Sequence, residues 1–227
     1  MRPILAAITA AGKAEAARRH VRRPTLPFVT ISRQAGAGGY ALATSLVDRL
    51  NRRDHSAPPW QSFDKELVGR VAGDHRISEA LIESLEDTSH NWLKDILGAL
   101  SVQPSEAAVF KRVAQTIRAI AQVGHAVIVG RGGVFVTRHL PGGIHVRLVA
   151  PLETRIRNSM TQYRLDREAA EKRVAEITRN REEFFRRYGS AQVPLEDLFS
   201  VTFNTAQVRE EKIAELLLPL VPEPESL

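Results

Sequence analysis

Nine consecutive residues, Ser32-Arg33-Gln34-Ala35-Gly36-Ala37-Gly38-Gly39-Tyr40, hold three glycines between the β-branched run Phe28–Ser32 and a segment, 41–53, whose apolar residues recur at helical spacing. Glycines in that place let backbone N–H groups turn toward one point at the positive end of the following helix, where an anion is held. The implied chemistry is phosphate binding, and its candidate contacts are Ser32, Gly36, Ala37, Gly38, Gly39 and Tyr40. A tight turn without a ligand is the competing reading. Two phosphate-loop classes fit in part. Gly36-x-Gly38-x-x-Ala41 satisfies the dinucleotide pattern, but there the strand runs almost directly into the first glycine and an acidic residue follows after about 20 positions. Here Ser32 to Ala35 intervene and Asp64 stands 28 positions after Gly36, which favours the longer arch of a mononucleotide loop. Set against G-x-x-x-x-G-K-[ST], Arg33 falls at the first glycine, Gly39 at the lysine and Tyr40 at the magnesium-binding hydroxyl, so the pattern is degenerate.

Two further positions carry chemistry. Asp64 ends a short predicted strand, 61–63, where ligands gather in open α/β sheets; it is placed either to meet an acceptor nucleotide or hydrated magnesium, or to cap the helix that follows. Arg131 follows the apolar run 126–130 and is flanked by Gly130, Gly132 and Gly133, which leaves its guanidinium room to reach a phosphate. The seven histidines form no H-x-x-H or H-E-x-x-H arrangement, and no metal-ligand spacing is present. The absence of cysteine excludes a disulfide framework, a thiolate metal site and a cysteine nucleophile. No Gly-x-Ser-x-Gly elbow is available for hydrolase chemistry.

The elements that must position these residues alternate. Strands are expected at 28–32, 61–63, 126–130, 144–149 and 198–203, and helices at 41–53, 77–87, 91–100, 105–123, 152–163, 166–188 and 207–218. Strands alternating with helices imply a parallel sheet covered on both faces. The 227 residues, 43% hydrophobic and 26% charged, suit one such domain. No apolar run approaches the roughly 20 residues a membrane-spanning helix needs, and a cytoplasmic location is the expectation. Residues 1–27 form a basic arm holding +5 of the +6 net charge, separated from the first strand by Pro24 and Pro27. Such an arm suits contact with RNA, a membrane surface or an acidic partner, or simple solvation. The domain is expected at 28–221 and a frayed tail at 222–227.

From Val29 to Leu217 the chain resembles the cytidylate kinase-like family of P-loop proteins, relatives of the nucleoside monophosphate kinases. The resemblance rests on Thr30-Ile31-Ser32-Arg33-Gln34, Gly36-Ala37-Gly38-Gly39, Phe63-Asp64-Lys65-Glu66-Leu67, Val129-Gly130-Arg131-Gly132, Arg147-Leu148-Val149-Ala150-Pro151-Leu152-Glu153 and Asn204-Thr205. The family tends to have glycine at the lysine position followed by arginine, where this chain has Tyr40, and Gly132 stands where bacterial cytidylate kinases have aspartate. The resemblance implies an α/β P-loop kinase-type three-layer fold with a five-stranded parallel sheet, a helical acceptor-binding insertion at 64–123 and a lid at 160–190. It implies ATP and Mg2+ as cofactors and phosphoryl transfer to CMP, dCMP or a related acceptor. Asp64 and Arg131 would bind that acceptor, and Arg33 with the lid arginines Arg179, Arg181 and Arg186 would neutralise charge on the transferring group. A nucleotide sensor that has lost turnover is the second reading, and an NAD(P)-dependent oxidoreductase the third.

Overall fold

The computed structural model describes residues 26–56, 58–64, 66, 68, 73, 104–130, 132–188, 194 and 196–223. The expected helices at 77–87 and 91–100, most of the arm and the last four residues of the tail lie outside the described residues.

The described chain runs β1 (Phe28–Arg33), α1 (Tyr40–Arg53), β2 (Gln61–Phe63), α2 (Pro104–Val123), β3 (Ala126–Val129), α3 (Gly133–Thr137), β4 (Gly143–Val149), α4 (Leu152–Tyr163), α5 (Arg167–Tyr188), β5 (Val201–Asn204) and α6 (Glu210–Leu217). The five strands form one parallel sheet in the order β2-β3-β1-β4-β5. β1 is central, with Ile31 opposite Val129 on one side and Val146 on the other. The glycine loop that follows β1 therefore leaves the middle of the carboxyl edge of the sheet, where open α/β sheets bind their ligands.

Alternation along the strands divides the core in two. Val29, Ile31, Val127, Val129, Val146 and Leu148 face α1 and α6, meeting Leu42, Leu46, Leu50, Ile213 and Leu217. Phe28, Ala126 and Ile128 face the opposite layer, meeting Ile117, Ile120 and Ala121 of α2 and Val136 of α3. The result is the expected three-layer arrangement. At the far edge of the sheet, away from the loop, His125 stacks on Trp60 with ring centroids 4.9 Å apart, and Trp60 Nε1 donates to Asp54 Oδ2 at 3.2 Å.

Two elements begin three residues later than expected, and one short helix was not expected. β5 begins at Val201, not 198, because Ser200 docks first: its N–H donates to the His145 carbonyl at 2.7 Å and its Oγ accepts the His145 N–H at 3.0 Å. Leu198 instead lies in a short 3-10 turn packed beside Val134 and Phe135. α6 begins at Glu210, not 207, because Asn204 holds a turn, its Oδ1 accepting the Ala206 N–H at 3.0 Å and its carbonyl the N–H groups of Gln207 and Val208. α3, five residues long, has too little periodicity to read from sequence.

Candidate functional site

The glycine loop owes its course to its neighbours. Gln34 ties its start to β4: its N–H donates to the Leu148 carbonyl at 3.0 Å, and its Oε1 accepts the Ala150 N–H at 3.0 Å. Gly36 has φ +77°, and a Cβ there would lie 2.3 Å from the Arg155 carbonyl oxygen, so α4 passes against the loop where only glycine fits. Asn158 Nδ2 donates to the Gly36 carbonyl at 2.9 Å, and Thr205 Oγ1 to the Ala37 carbonyl at 3.1 Å. Ala35 inserts its methyl among Ile156, Ala170 and Val174, which seats the base of the α4–α5 hairpin on the loop. Arg164, in the left-handed conformation at the turn between those helices, and the Arg167–Glu153 fork, with both N–O distances 2.8 Å, set the hairpin's closure.

Gly39 closes the loop as the N-cap of α1, with φ +111°. Its N–H donates to Glu210 Oε1 at 2.5 Å, and the Leu42 N–H donates to Glu210 Oε2 at 3.0 Å. A carboxylate at this end satisfies two of the helix's otherwise unpartnered amides and complements its dipole. Ser32 is buried in β1, while Tyr40, the first residue of α1, is 69% exposed and leads its phenol into solvent.

Arg33 ends β1. A Cβ on Gly39 would lie 2.7 Å from its Cδ, and one on Gly130 would lie 2.7 Å from its Nη1. The side chain thus runs between these two glycines, from the loop to the end of β3. Burial pushes its guanidinium below the ordinary arginine value, against the opposing pull of Tyr163, Asp64 and Glu210. Arg181, from α5, donates through Nη1 to the Arg33 carbonyl. Its guanidinium is brought down to about 10, by burial first and then by the positive charge of Arg33. Arg33 and Arg181 thus lie together beside the loop, each guanidinium losing water and the two repelling each other; an anion against them would offset both costs.

The other expected site residues divide. Asp64 caps the next segment, its Oδ1 accepting the Glu66 N–H at 3.0 Å, and its charge still acts on Arg33. Arg179 is exposed on α5, on a different side of the helix from Arg181. Arg186 lies in α5 but its side chain is outside the described residues, as is all of Arg131. The loop's supports, Gln34, Arg155, Asn158, Thr205 and Glu210, were not among the candidate contacts. Arg155, Asn158 and Glu210 were hidden by their long separation in sequence from the glycines, whereas Gln34 and Thr205 lay in the Thr30-Ile31-Ser32-Arg33-Gln34 and Asn204-Thr205 motifs.

Magnesium has few ligands to choose from here. Tyr40 replaces the usual hydroxyl, Glu210 is committed to two amides, and among the described residues no three of His, Asp and Glu converge as a metal site. Among the described residues, the donor set suits an ion that arrives on phosphate oxygens, with Asp64 the carboxylate near Arg33 that holds no loop amide.

A family model described as the cytidylate kinase-like family matches residues 28–207. A curated relative named uronate isomerase, from Corynebacterium glutamicum, is 24% identical over 185 residues, which cover 73% of this chain and 36% of that protein. The chain therefore spans little more than a third of that relative's length. Among solved structures, an uncharacterized protein from Eubacterium ventriosum superposes with a TM-score of 0.65 at 18% identity, covering 87% of this chain and 98% of that one. Shikimate kinase from Acinetobacter baumannii, solved in complex with shikimate, gives a TM-score of 0.48 at 16% identity over 87% of this chain and 93% of that chain. Among the described residues no helix is long and apolar enough to cross a membrane.

Proposed function

The chain belongs to the cytidylate kinase-like family, and from that premise we propose that it is a phosphotransferase moving the γ-phosphoryl of ATP to a nucleoside monophosphate, CMP or dCMP first among the acceptors. The observation that carries this reading is the meeting of Arg33 and Arg181 beside the glycine loop, one from the central strand and one from the hairpin above it. Phosphoryl transfer places most of its demand on positioning and charge neutralisation. The loop amides would hold the β- and γ-phosphates. Arg33 would take over from the lysine missing at Gly39, since its methylenes already fill the space a side chain at 39 would enter. Arg181 would close over the transferring group. Asp64 and Arg131 would receive the acceptor. Magnesium, when bound with ATP, would screen the phosphate charges and hold their geometry.

A second reading, nucleotide binding without turnover, is favoured by the exposed Tyr40 at the position of the magnesium hydroxyl and by the carboxylate on the Gly39 amide. Steady-state release of ADP against a panel of nucleoside monophosphates separates the two. Turnover with CMP or dCMP that falls about a hundredfold in both Arg33→Ala and Arg181→Ala is expected for the phosphotransferase. Micromolar ATP binding with no ADP released under any acceptor would leave the binding protein. Turnover unaffected by either substitution would remove the two arginines from the chemistry.

A further inference from the structure

The strongest unexplained feature of the site is a negative charge where a phosphate is expected. Glu210, in the first turn of α6, places both carboxylate oxygens on amides of the loop and of α1, those of Gly39 and Leu42. A Cβ on Gly38, whose φ is +84°, would lie 2.0 Å from Glu210 Oε1. The room left by that glycine is therefore filled by this carboxylate. Arg33 feels the same charge.

We infer that Glu210 is an internal anion seated on the phosphate loop, and that a polyphosphate must displace it to bind. This rests on the nucleotide reading of the loop given above. The amide of Gly39 cannot serve a carboxylate and a phosphate oxygen at full strength together, and the two anions would repel each other at that distance. Displacement is open to the side chain alone. α6 is held on α1 by Ile213, Ala214 and Leu217 packed against Leu42, Leu46 and Leu50, and Arg53 binds the carbonyls of Leu218 and Val221 beyond it, so the helix does not depend on Glu210 to stay docked. Glu210 itself is half-buried, with a route to solvent.

The arrangement selects by charge. A single phosphate would replace two charge-assisted hydrogen bonds with similar ones, against a competitor tethered in the same molecule at high effective concentration. A di- or triphosphate adds contacts to Arg33 and Arg181 that the carboxylate does not make in its capping position. The emptied loop is thus kept satisfied and closed to orthophosphate and monophosphates, while nucleoside triphosphates open it.

The test is calorimetric titration of the full chain at fixed ionic strength with sodium tripolyphosphate, MgATP and orthophosphate, using wild type, Glu210→Gln, Glu210→Asp and, as a charge control, Glu211→Gln. Removal of the Glu210 charge is expected to tighten tripolyphosphate and MgATP about tenfold, the size of a charge effect at a helix N-terminus, and to bring orthophosphate into measurable range. Glu210→Asp, too short to reach both amides, is expected to gain less, and it carries the test if the glutamine variant does not fold. Glu211→Gln is expected to match wild type. Equal or weaker binding by both Glu210 variants, with wild type still binding, overturns this inference alone and makes the carboxylate a buttress of the loop. No binding of tripolyphosphate or MgATP by any of the proteins overturns both it and the nucleotide reading.

Discussion

Arg33 and Arg181 stand in an arrangement that stability alone would not choose, two cations brought together where water is partly excluded. Charge at a site is often kept for a ligand that completes it. Substituting Arg181 by alanine should therefore leave the ligand-free protein folded while abolishing most of the rise in melting temperature that MgATP produces, read by thermal denaturation with and without nucleotide. A second residue makes a pH prediction. His145 is buried in β4, within 2.8 Å of Thr30 Oγ1 through Nδ1, and burial lowers it to about 4 from an ordinary 6.5. The unfolded chain then binds the extra proton first. The stability this group permits is complete above about pH 6.5 and is lost as the pH falls toward 4, by about 3 kcal/mol if nothing else titrates. Denaturant unfolding between pH 7 and 4 should show that slope, and His145→Gln should flatten it.

The loop between β1 and α1 is held in shape from outside by α4, by the turn after β5 and by α6. Gly36→Ala should be among the most damaging small substitutions in the chain, because the new methyl meets the backbone of Arg155 at a positive φ. A loss of at least 2 kcal/mol in stability, with loss of nucleotide binding, is expected from denaturant titration and calorimetry. Gly39→Lys would restore the standard motif on paper, yet the position has φ +111° and its Cβ would meet Arg33 Cδ at 2.7 Å. It should lower both stability and ATP affinity; an increase in turnover would show that Arg33 yields its place readily. Thr205→Val, which removes one hydroxyl hydrogen bond to the loop, should cost about 1 kcal/mol by the same denaturant titration.

At the scale of the molecule, the two apolar layers and the sheet are built, among the described residues, from 28 onward. Removing residues 1–24 should leave the melting temperature within about 2 °C of the full chain and nucleotide affinity unchanged, because most of the net charge departs with the arm while every core residue described above stays. A truncated protein that fails to fold would make the arm structural. Binding of RNA or anionic vesicles lost on truncation, with nucleotide binding kept, would give it an accessory role.

The amino-acid sequence by itself determined the sheet and the place of the loop. β3 is a continuous apolar run, β1 and β4 place apolar residues at alternate positions, Val29 and Ile31 in one and Ile144, Val146 and Leu148 in the other, and α1 repeats its leucines and alanine at 42, 43, 46 and 50, patterns set by local periodicity that no tertiary contact needs to supply. The family motif likewise lies in short contiguous segments. What only the tertiary structure decided is how the loop is held and which charges meet there. Glu210 lies 171 residues from the Gly39 amide it binds, and Arg181 lies 148 from the Arg33 carbonyl. The sequence offered three lid arginines of equal standing, and the helical turn of α5 turns Arg181 toward the loop while leaving Arg179 in solvent. Side-chain direction depends on helix phase and on the docking of one element against another, and contacts across such separations leave no spacing to read.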